Sequence, residues 1–264
     1  MKIVVCAKQV PDTTEVKLDP KTGTLIRDGV PSIINPDDKA GIEAALQLKE
    51  AVPGSTVTVV SMGPPQADVA LREALAMGCD EAILISDRAF GGADTWATSS
   101  TIAAALKKID YDVIITGRQA IDGDTAQVGP QIAEHLGLPQ VSYAENVEVD
   151  GEYLKVQRQF EDRYHIIKVK MPCVITALAE LAEPRYMTVS GIVAAYDEKE
   201  VKVWGLADLK DTIDEANIGL AGSPTRVKQS FTKPVKPAGV VLKDLTPAEA
   251  VDAIVAKLKE KYII

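Results

Sequence analysis

The chain is poor in the residues that usually announce an active centre. Among its 264 residues it has three cysteines and two histidines. Cys6, Cys79 and Cys173 are far apart and form no Cys-x-x-Cys pair. That spacing excludes the common metal-binding and dithiol motifs. Cys6 and Cys173 lie in apolar runs and read as small core residues of a protein in a reducing compartment. His135 and His165 have no carboxylate or thiol neighbours at ligand spacing, which argues against a metal site. His135 falls late in an expected helix, where the dipole mildly favours a cation. Gly-x-Ser-x-Gly, the Walker lysine motif and the dinucleotide Gly-x-Gly-x-x-Gly are all missing, and no residue pair stands out as an acid/base couple. Positive charge is also scarce: 29 Lys and Arg face 38 Asp and Glu, for a net charge of −9. A phosphate-backbone binder needs a basic face, so nucleic acid is excluded as the main partner. No window approaches the ~20 continuous apolar residues that span a bilayer, so no membrane insertion is expected. Met1–Cys6 reads as a strand rather than a targeting signal. A soluble cytoplasmic protein is the expectation.

What is present is concentrated in one segment, Thr116-Gly-Arg-Gln-Ala-Ile-Asp-Gly-Asp-Thr-Ala-Gln-Val-Gly-Pro130. It follows Asp112-Val-Ile-Ile-Thr116, which reads as a buried parallel strand, and it precedes a helix expected over 126–136. A strand, a loop with two glycines and a helix start is where α/β sheets bind phosphates. The first N–H groups of a helix lack intrahelical partners, and the dipole favours negative charge there. Asp124 or Thr125 could cap that helix, and the Thr125 hydroxyl could donate to a phosphate. The alternative is an ordinary surface loop with a capped helix. The crowding of Arg118, Gln119, Asp122, Asp124, Thr125 and Gln127 favours a site. A nucleotide site without catalytic side chains points to a cofactor that carries the chemistry.

Short β-rich runs alternate with amphipathic helices over the first ~140 residues, which implies a parallel sheet covered on its faces. Strands are expected at 2–7, 56–61, 81–86 and 112–116, with a small hairpin from 16–18 and 24–26. Helices are expected at 36–52, 66–77, 95–109 and 126–136. Asn35 suits the N-cap of the first, with Pro36 at its first position and Asp37 and Asp38 at the positive end of its dipole. After Gln140 the pattern changes to an antiparallel meander, 141–149, 153–158 and 164–169, followed by a buried strand over 172–178. Periodicity is weak over 184–238, where 188–195 and 218–225 read as exposed loops. Pro234, Pro237 and Gly239 mark an extended arm. A helix over 247–261 follows, opened by a capping box at Thr246–Glu249. The expected division is 1–195, an α/β nucleotide-binding domain, and 196–264, an arm and helix that grip another subunit.

These residues resemble the electron transfer flavoprotein beta subunit along nearly the whole chain. The most specific match is 117–130. It is joined by Val4-Val-Cys-Ala-Lys-Gln-Val-Pro-Asp-Thr13, Asn35-Pro36, Ser61-Met-Gly-Pro64, Ala74-Leu-Ala-Met-Gly78 and Glu183-Pro-Arg-Tyr186. The resemblance implies a Rossmann-like, doubly wound, mostly parallel sheet and a nucleotide on the loops after its strands. The implied cofactor-binding residues are Cys6 and Ala7, then Asn35, Pro36, Asp37 and Asp38, then Met62. The long loop contributes Gly117, Arg118, Gln119, Ala120, Ile121, Asp122, Gly123, Asp124, Thr125, Ala126, Gln127 and Val128. The family pairs this subunit with a larger alpha subunit that carries an FAD.

Two subclasses of that family differ in what fills the crevice. One holds AMP. The other holds a second FAD, accepts hydride from NADH and sends two electrons along separate paths. Val10–Thr13, the small residues of Gly123–Pro130 and the lead-in Phe90-Gly-Gly-Ala-Asp-Thr-Trp-Ala-Thr98 resemble the second. Paired glycines before a capped helix let a backbone approach a large flat ligand or a second phosphate, or form a flexible turn before Asp94 caps the helix. The resemblance further implies a recognition loop near 183–200. There Glu183, Pro184, Arg185 and Tyr186, with an apolar anchor at Val189 or Ile192, dock an acyl-CoA dehydrogenase or similar flavoprotein. The low-potential electron would pass to ferredoxin or flavodoxin, and Arg118 is the candidate to stabilise reduced flavin. The rival expectations are a conventional beta subunit with AMP and a nucleotide-sensing α/β domain.

Overall fold

The apolar runs of the first half lie side by side in one sheet. The computed structural model describes residues 1–12, 31–228 and 236–264. The expected hairpin at 16–18 and 24–26, and also Thr13 and Pro234, lie outside the described residues. In chain order the elements are β1 (Lys2–Cys6), β2 (Gln9–Pro11), β3 (Ser32–Ile34), α1 (Pro36–Ala51), β4 (Thr56–Met62), α2 (Asp68–Met77), β5 (Glu81–Ile85), α3 (Thr95–Leu106) and β6 (Val113–Gly117). They continue with α4 (Val128–Leu136), β7 (Gln140–Asp150), β8 (Tyr153–Gln159), β9 (Tyr164–Lys170), β10 (Cys173–Ala177), α5 (Val189–Asp197), β11 (Val201–Trp204), α6 (Leu206–Leu209) and α7 (Pro247–Glu260).

The main sheet runs β11-β5-β4-β1-β6-β10-β7-β8-β9. Pairings from β11 through β7 are parallel, and β8 and β9 add an antiparallel meander at one edge. The fold is therefore a mixed α/β architecture with a large, mostly parallel sheet flanked by helices. Side chains alternate between its faces, as strand geometry requires. Ile3, Val5, Val57, Val59, Val113 and Ile115 share one core with residues of α1 and α2. Val4, Val60, Ile83, Ile85 and Ile114 share the other with residues of α3 and α4.

Chain order reverses at β1. The path runs outward from β1 to β4 and β5, then returns to β6 on the other side of β1. Crevices that bind ligands in α/β sheets open at such a reversal, beyond the carboxyl ends of the strands. Gly41 draws α1 close to the sheet: a Cβ there would lie 2.9 Å from Ile115 Cγ2. That approach brings the start of α1 beside the end of β6.

Two segments depart from expectation. Residues 189–197 form a helix rather than a loop. The Thr188 hydroxyl accepts from Gly191 N–H at 2.9 Å, capping the helix, and a Cβ at Gly191 would lie 2.4 Å from the Ala76 carbonyl of α2. The glycine thus permits close packing between α5 and α2, which weak periodicity did not disclose. Val201–Trp204 adds an edge strand against β5, so the sheet extends past the boundary expected at residue 195. By contacts the described chain divides into Met1–Val227 and Lys228–Ile264. In the second unit, Thr246 and Glu249 form the capping box of α7.

Candidate functional site

The loop after β6 and the starts of α1 and α4 meet at the reversal point. Asn35 stands at the N-cap of α1, and its carbonyl accepts from Lys39 N–H at 2.9 Å. Its side chain, however, makes no cap. Instead Nδ2 donates to the Gln119 carbonyl at 2.9 Å, and Oδ1 accepts from Ile121 N–H at 3.0 Å. Asn35 therefore holds the loop after β6 through two backbone bonds. Asp38 acts in parallel. Its Oδ2 accepts from Lys8 N–H at 2.8 Å and its Oδ1 from Gly117 N–H at 2.8 Å. One carboxyl thus ties the ends of β1 and β6 to α1. Gly117 is required by this approach, because a Cβ there would lie 2.2 Å from Asp38 Oδ1.

Burial pushes the Asp38 carboxyl up to about 7, against the pull of the N–H groups of Lys8 and Gly117 and of Asn35. Burial also raises Asp37, while Arg118 pulls it down. Arg118 Nε and Asp37 Oδ2 are 3.4 Å apart. Both atoms are buried without a hydrogen-bond partner among the described residues. Arg118 N–H itself donates to the Ala177 carbonyl at 2.8 Å. At the mouth of the loop, Lys8 Nζ meets Asp122 Oδ1 at 2.7 Å. Lys8 was not singled out from the sequence, although it sits in the quoted run after β1. Cys6 ends β1 with its thiol pushed up to about 12, first by burial and then by Asp38. It packs, with half-buried Met62 at the end of β4, against the core shared with α3 and α4.

The second half of the loop corrects another expectation. Helix α4 begins at Val128, two residues later than expected, and neither Asp124 nor Thr125 caps it. Gln127 holds the N-cap position without a side-chain cap bond. Asp124 and Ala126 take positive φ values of 49° and 52°, and Asp124 Oδ1 accepts from Gln119 Nε2 at 2.9 Å. The left-handed backbone at these two residues delays the start of the helix to Val128. Gly129 then lies against the ends of β6 and β10, where a Cβ would be 2.4 Å from Thr116 Oγ1. The first turn of α4 thus has no capping side chain, which leaves its backbone N–H groups without an intrahelical partner.

The lead-in to α3 is used by the chain itself. Gly92, at φ 73°, packs beneath Leu220, and the Gly91 carbonyl accepts from Leu220 N–H at 3.0 Å. Asp94 caps α3 through Ala97 N–H and also accepts from Thr225. Thr95 Oγ1 donates to Gln127 Oε1 at 2.9 Å, which joins this turn to the start of α4. His135 lies in the last turn of α4, where its surroundings work against the cation that the helix end favours. Burial lowers its pKa, with Lys107 adding to the effect. The ring packs edge-on to Trp96 and lies 3.1 Å from Ser99 Oγ.

The candidate docking residues separate into two groups. Arg185 turns inward, with Nε and Nη2 on Glu43 at 2.8 and 2.9 Å and Nη1 on Glu50 at 2.6 Å. Tyr186 and Val189 point outward, 97% and 81% exposed, and Ile192 is 40% exposed. With Met187, Val193 and Tyr196 they give the unit an apolar patch on and before α5. Glu183 and Pro184 lead into Arg185 in chain without regular secondary structure. Among the described residues no helix is long and apolar enough to cross a membrane, and no cluster of three His, Cys, Asp or Glu could hold a metal.

The family model described as "Electron transfer flavoprotein domain" matches residues 22–209. The "Electron transfer flavoprotein subunit beta" of Clostridium acetobutylicum is 61% identical, with both chains covered completely. The "Caffeyl-CoA reductase-Etf complex subunit CarD" of Acetobacterium woodii is 54% identical, also with full coverage of both. The "Acryloyl-CoA reductase electron transfer subunit gamma" of Anaerotignum propionicum is 49% identical over the full length of each. With a mostly parallel sheet whose chain order reverses at β1 and these matches, the chain belongs to the electron transfer flavoprotein family as a beta subunit.

Proposed function

We propose that this chain is the beta subunit of a bifurcating electron transfer flavoprotein. It holds FAD in the crevice, accepts hydride from NADH and passes electrons to the alpha-subunit FAD and to ferredoxin or flavodoxin. The observation that carries the proposal is the uncapped first turn of α4, which faces a loop already fixed by Asn35 and Asp38. Such a turn offers backbone N–H groups and a positive dipole end to a phosphate. The residues suit a flavin nucleotide in two respects. Gly123 leaves open space where a Cβ would meet nothing within 4 Å, and Arg118 Nε and Asp37 Oδ2, ion-paired at 3.4 Å, make no hydrogen bond among the described residues. When bound, the flavin supplies the redox chemistry that the chain's side chains lack.

The chain's own residues bind and orient. Val128 and Gly129 offer N–H groups to phosphate. Gln127 and Thr125 lie at the same helix start, where their polar groups suit ribose or phosphate oxygens. Arg118 places a permanent cation beside Asp37, where it favours an anionic ring over a neutral one. Cys6, Ala7 and Met62 give an apolar wall that limits water. The partner names among the relatives, caffeyl-CoA reductase and acryloyl-CoA reductase, support a flavoprotein dehydrogenase as the terminal partner. The apolar patch around Val189 is the surface assigned to it. The division of labour follows the two units: Met1–Val227, rather than 1–195, binds the nucleotide, and Lys228–Ile264 grips the alpha subunit.

The test is to co-express the chain with its alpha subunit, denature the purified complex and count the nucleotides released. Two FAD per heterodimer are expected. One FAD and one AMP would leave a one-flavin carrier and overturn the bifurcating reading.

A further inference from the structure

The chain that leads into α5 is held in place by a side chain rather than by its backbone. From 182 to 188 it has no regular secondary structure, so neither a ladder nor a helix fixes where Tyr186 and Met187 stand. Arg185 supplies the fixing instead. Its guanidinium is spread along α1, with Nε and Nη2 on Glu43 at 2.8 and 2.9 Å and Nη1 on Glu50 at 2.6 Å. Its own N–H adds a bond to Glu43 Oε2 at 3.1 Å. Glu43 is 4% exposed. Burial raises its carboxyl, but the bonds from Arg185 and Gln47 outweigh that and hold it below its ordinary value.

The base of this clamp is itself fixed. Glu43 follows Gly41, where α1 lies against Ile115 of β6, and Asp38 ties the start of the same helix to β1 and β6. The far end of the segment is fastened to α2. Arg72 Nη1 donates to the Ala195 carbonyl at 2.6 Å, its Nε donates to Asp68 at 2.7 Å, and its guanidinium lies 5.0 Å from the centre of the Tyr196 ring. Between the two fastenings stand Tyr186 and Val189, the most exposed side chains of the apolar patch. A guanidinium is a planar fork, so a two-point contact with a carboxylate fixes direction as well as distance. An arginine placed to recognise a partner shows that fork to solvent. Arg185 has its three guanidinium nitrogens on the chain's own carboxylates.

We infer that Arg185 is a positioning residue for docking: it holds Tyr186 and Val189 in the pose that a flavoprotein dehydrogenase binds, without itself touching that partner. The inference rests on the reading that the patch on and before α5 is the docking surface. A segment already ordered in its bound pose loses less conformational freedom on association, which lowers the cost of binding. Loss of the clamp therefore raises the partner concentration needed for docking and leaves the rate within the docked complex alone.

The experiment uses the heterodimer with its alpha subunit, reduced with dithionite, and an acyl-CoA dehydrogenase as the probe. Stopped-flow oxidation of the reduced heterodimer at increasing dehydrogenase gives a half-saturating concentration and a limiting rate. Arg185→Ala is expected to raise the half-saturating concentration roughly tenfold, with the limiting rate and the nucleotide content unchanged. Arg185→Lys should recover only part of this, because an ammonium cannot hold both carboxylates as a fork does. Val189→Lys, in the patch itself, should raise the half-saturating concentration as well. If Arg185→Ala does not fold by circular dichroism, Arg185→Ala combined with Glu43→Gln carries the test, since it removes the buried charge along with its partner. A native half-saturating concentration in that variant, while Val189→Lys raises it, would overturn this inference alone. No oxidation of the native heterodimer by the probe, or a Val189→Lys variant that behaves as native, would overturn the docking reading and this inference with it. A fall in nucleotide content or limiting rate alongside the rise would make Arg185 a brace of the whole fold and overturn its positioning role.

Discussion

Helices α1 and α4 both begin at the crevice, yet they treat their polar groups in opposite ways. At α1, Asn35 and Asp38 spend their identified bonds within the protein, on the backbone at Lys8, Gly117, Gln119 and Ile121 and on each other. At α4 no side chain caps the first turn. The first start ties the strand ends together, and the second is the one we propose for a ligand. A polar residue at a binding crevice is therefore not by that fact a ligand contact. The deciding observation is where its donors and acceptors already go.

The comparison breaks most visibly at Asp38. Asp38→Ala leaves two buried N–H groups bare, at roughly 1–3 kcal/mol each. The expected loss is about 2–6 kcal/mol in chemical denaturation, together with loss of nucleotide from the purified complex. Arg118→Ala removes a cation rather than a brace. It should weaken flavin retention by roughly tenfold to a hundredfold, the worth of a charged hydrogen bond, and shift the flavin potential. Unchanged flavin content and potential would return Arg118 to a partner of Asp37 only. Asn35→Ala should cost about 1–3 kcal/mol and speed amide exchange at Ile121 while leaving α1 helical. Slower or unchanged exchange at Ile121 would contradict its role as a brace.

A pH profile sharpens the same contrast. Asp38 is pushed up to about 7 in the fold, whereas an unfolded aspartate titrates near ~3.9. Between those values the folded chain binds the extra proton. Its contribution is therefore greatest below the unfolded value, and stability falls as pH rises from about 4 to about 7. Asp38→Asn should flatten that part of the profile. A smaller effect is expected at the apolar patch. Val189→Lys should change stability by no more than ~0.5 kcal/mol, yet weaken the dehydrogenase complex in a binding assay. Unchanged binding would remove Val189 from the docking surface.

Much of this was legible in the sequence. The apolar runs of β1, β4, β5, β6 and β10 sit where alternation placed them, because buried parallel strands need continuous apolar residues. The crowded segment after β6 does lie at the reversal point, since strand, loop and helix start are local patterns. The role of Asn35 was not legible. Asparagine before proline and two aspartates is a good local cap, but its actual partners lie more than eighty positions away, and tertiary bonds prevailed over the local one. Helix α5 was missed because its packing on α2 rests on Gly191 and on buried Ala195 rather than on a broad apolar stripe. Arg185 looked like a surface residue in a motif, and nothing in its neighbourhood named Glu43 as its partner.

Anaerobic titration of the purified heterodimer with NADH tests the central claim most directly. The account predicts bleaching of flavin absorbance for both the crevice flavin and the alpha-subunit flavin, and impaired bleaching in Arg118→Ala. A heterodimer whose flavin absorbance does not respond to NADH would contradict it.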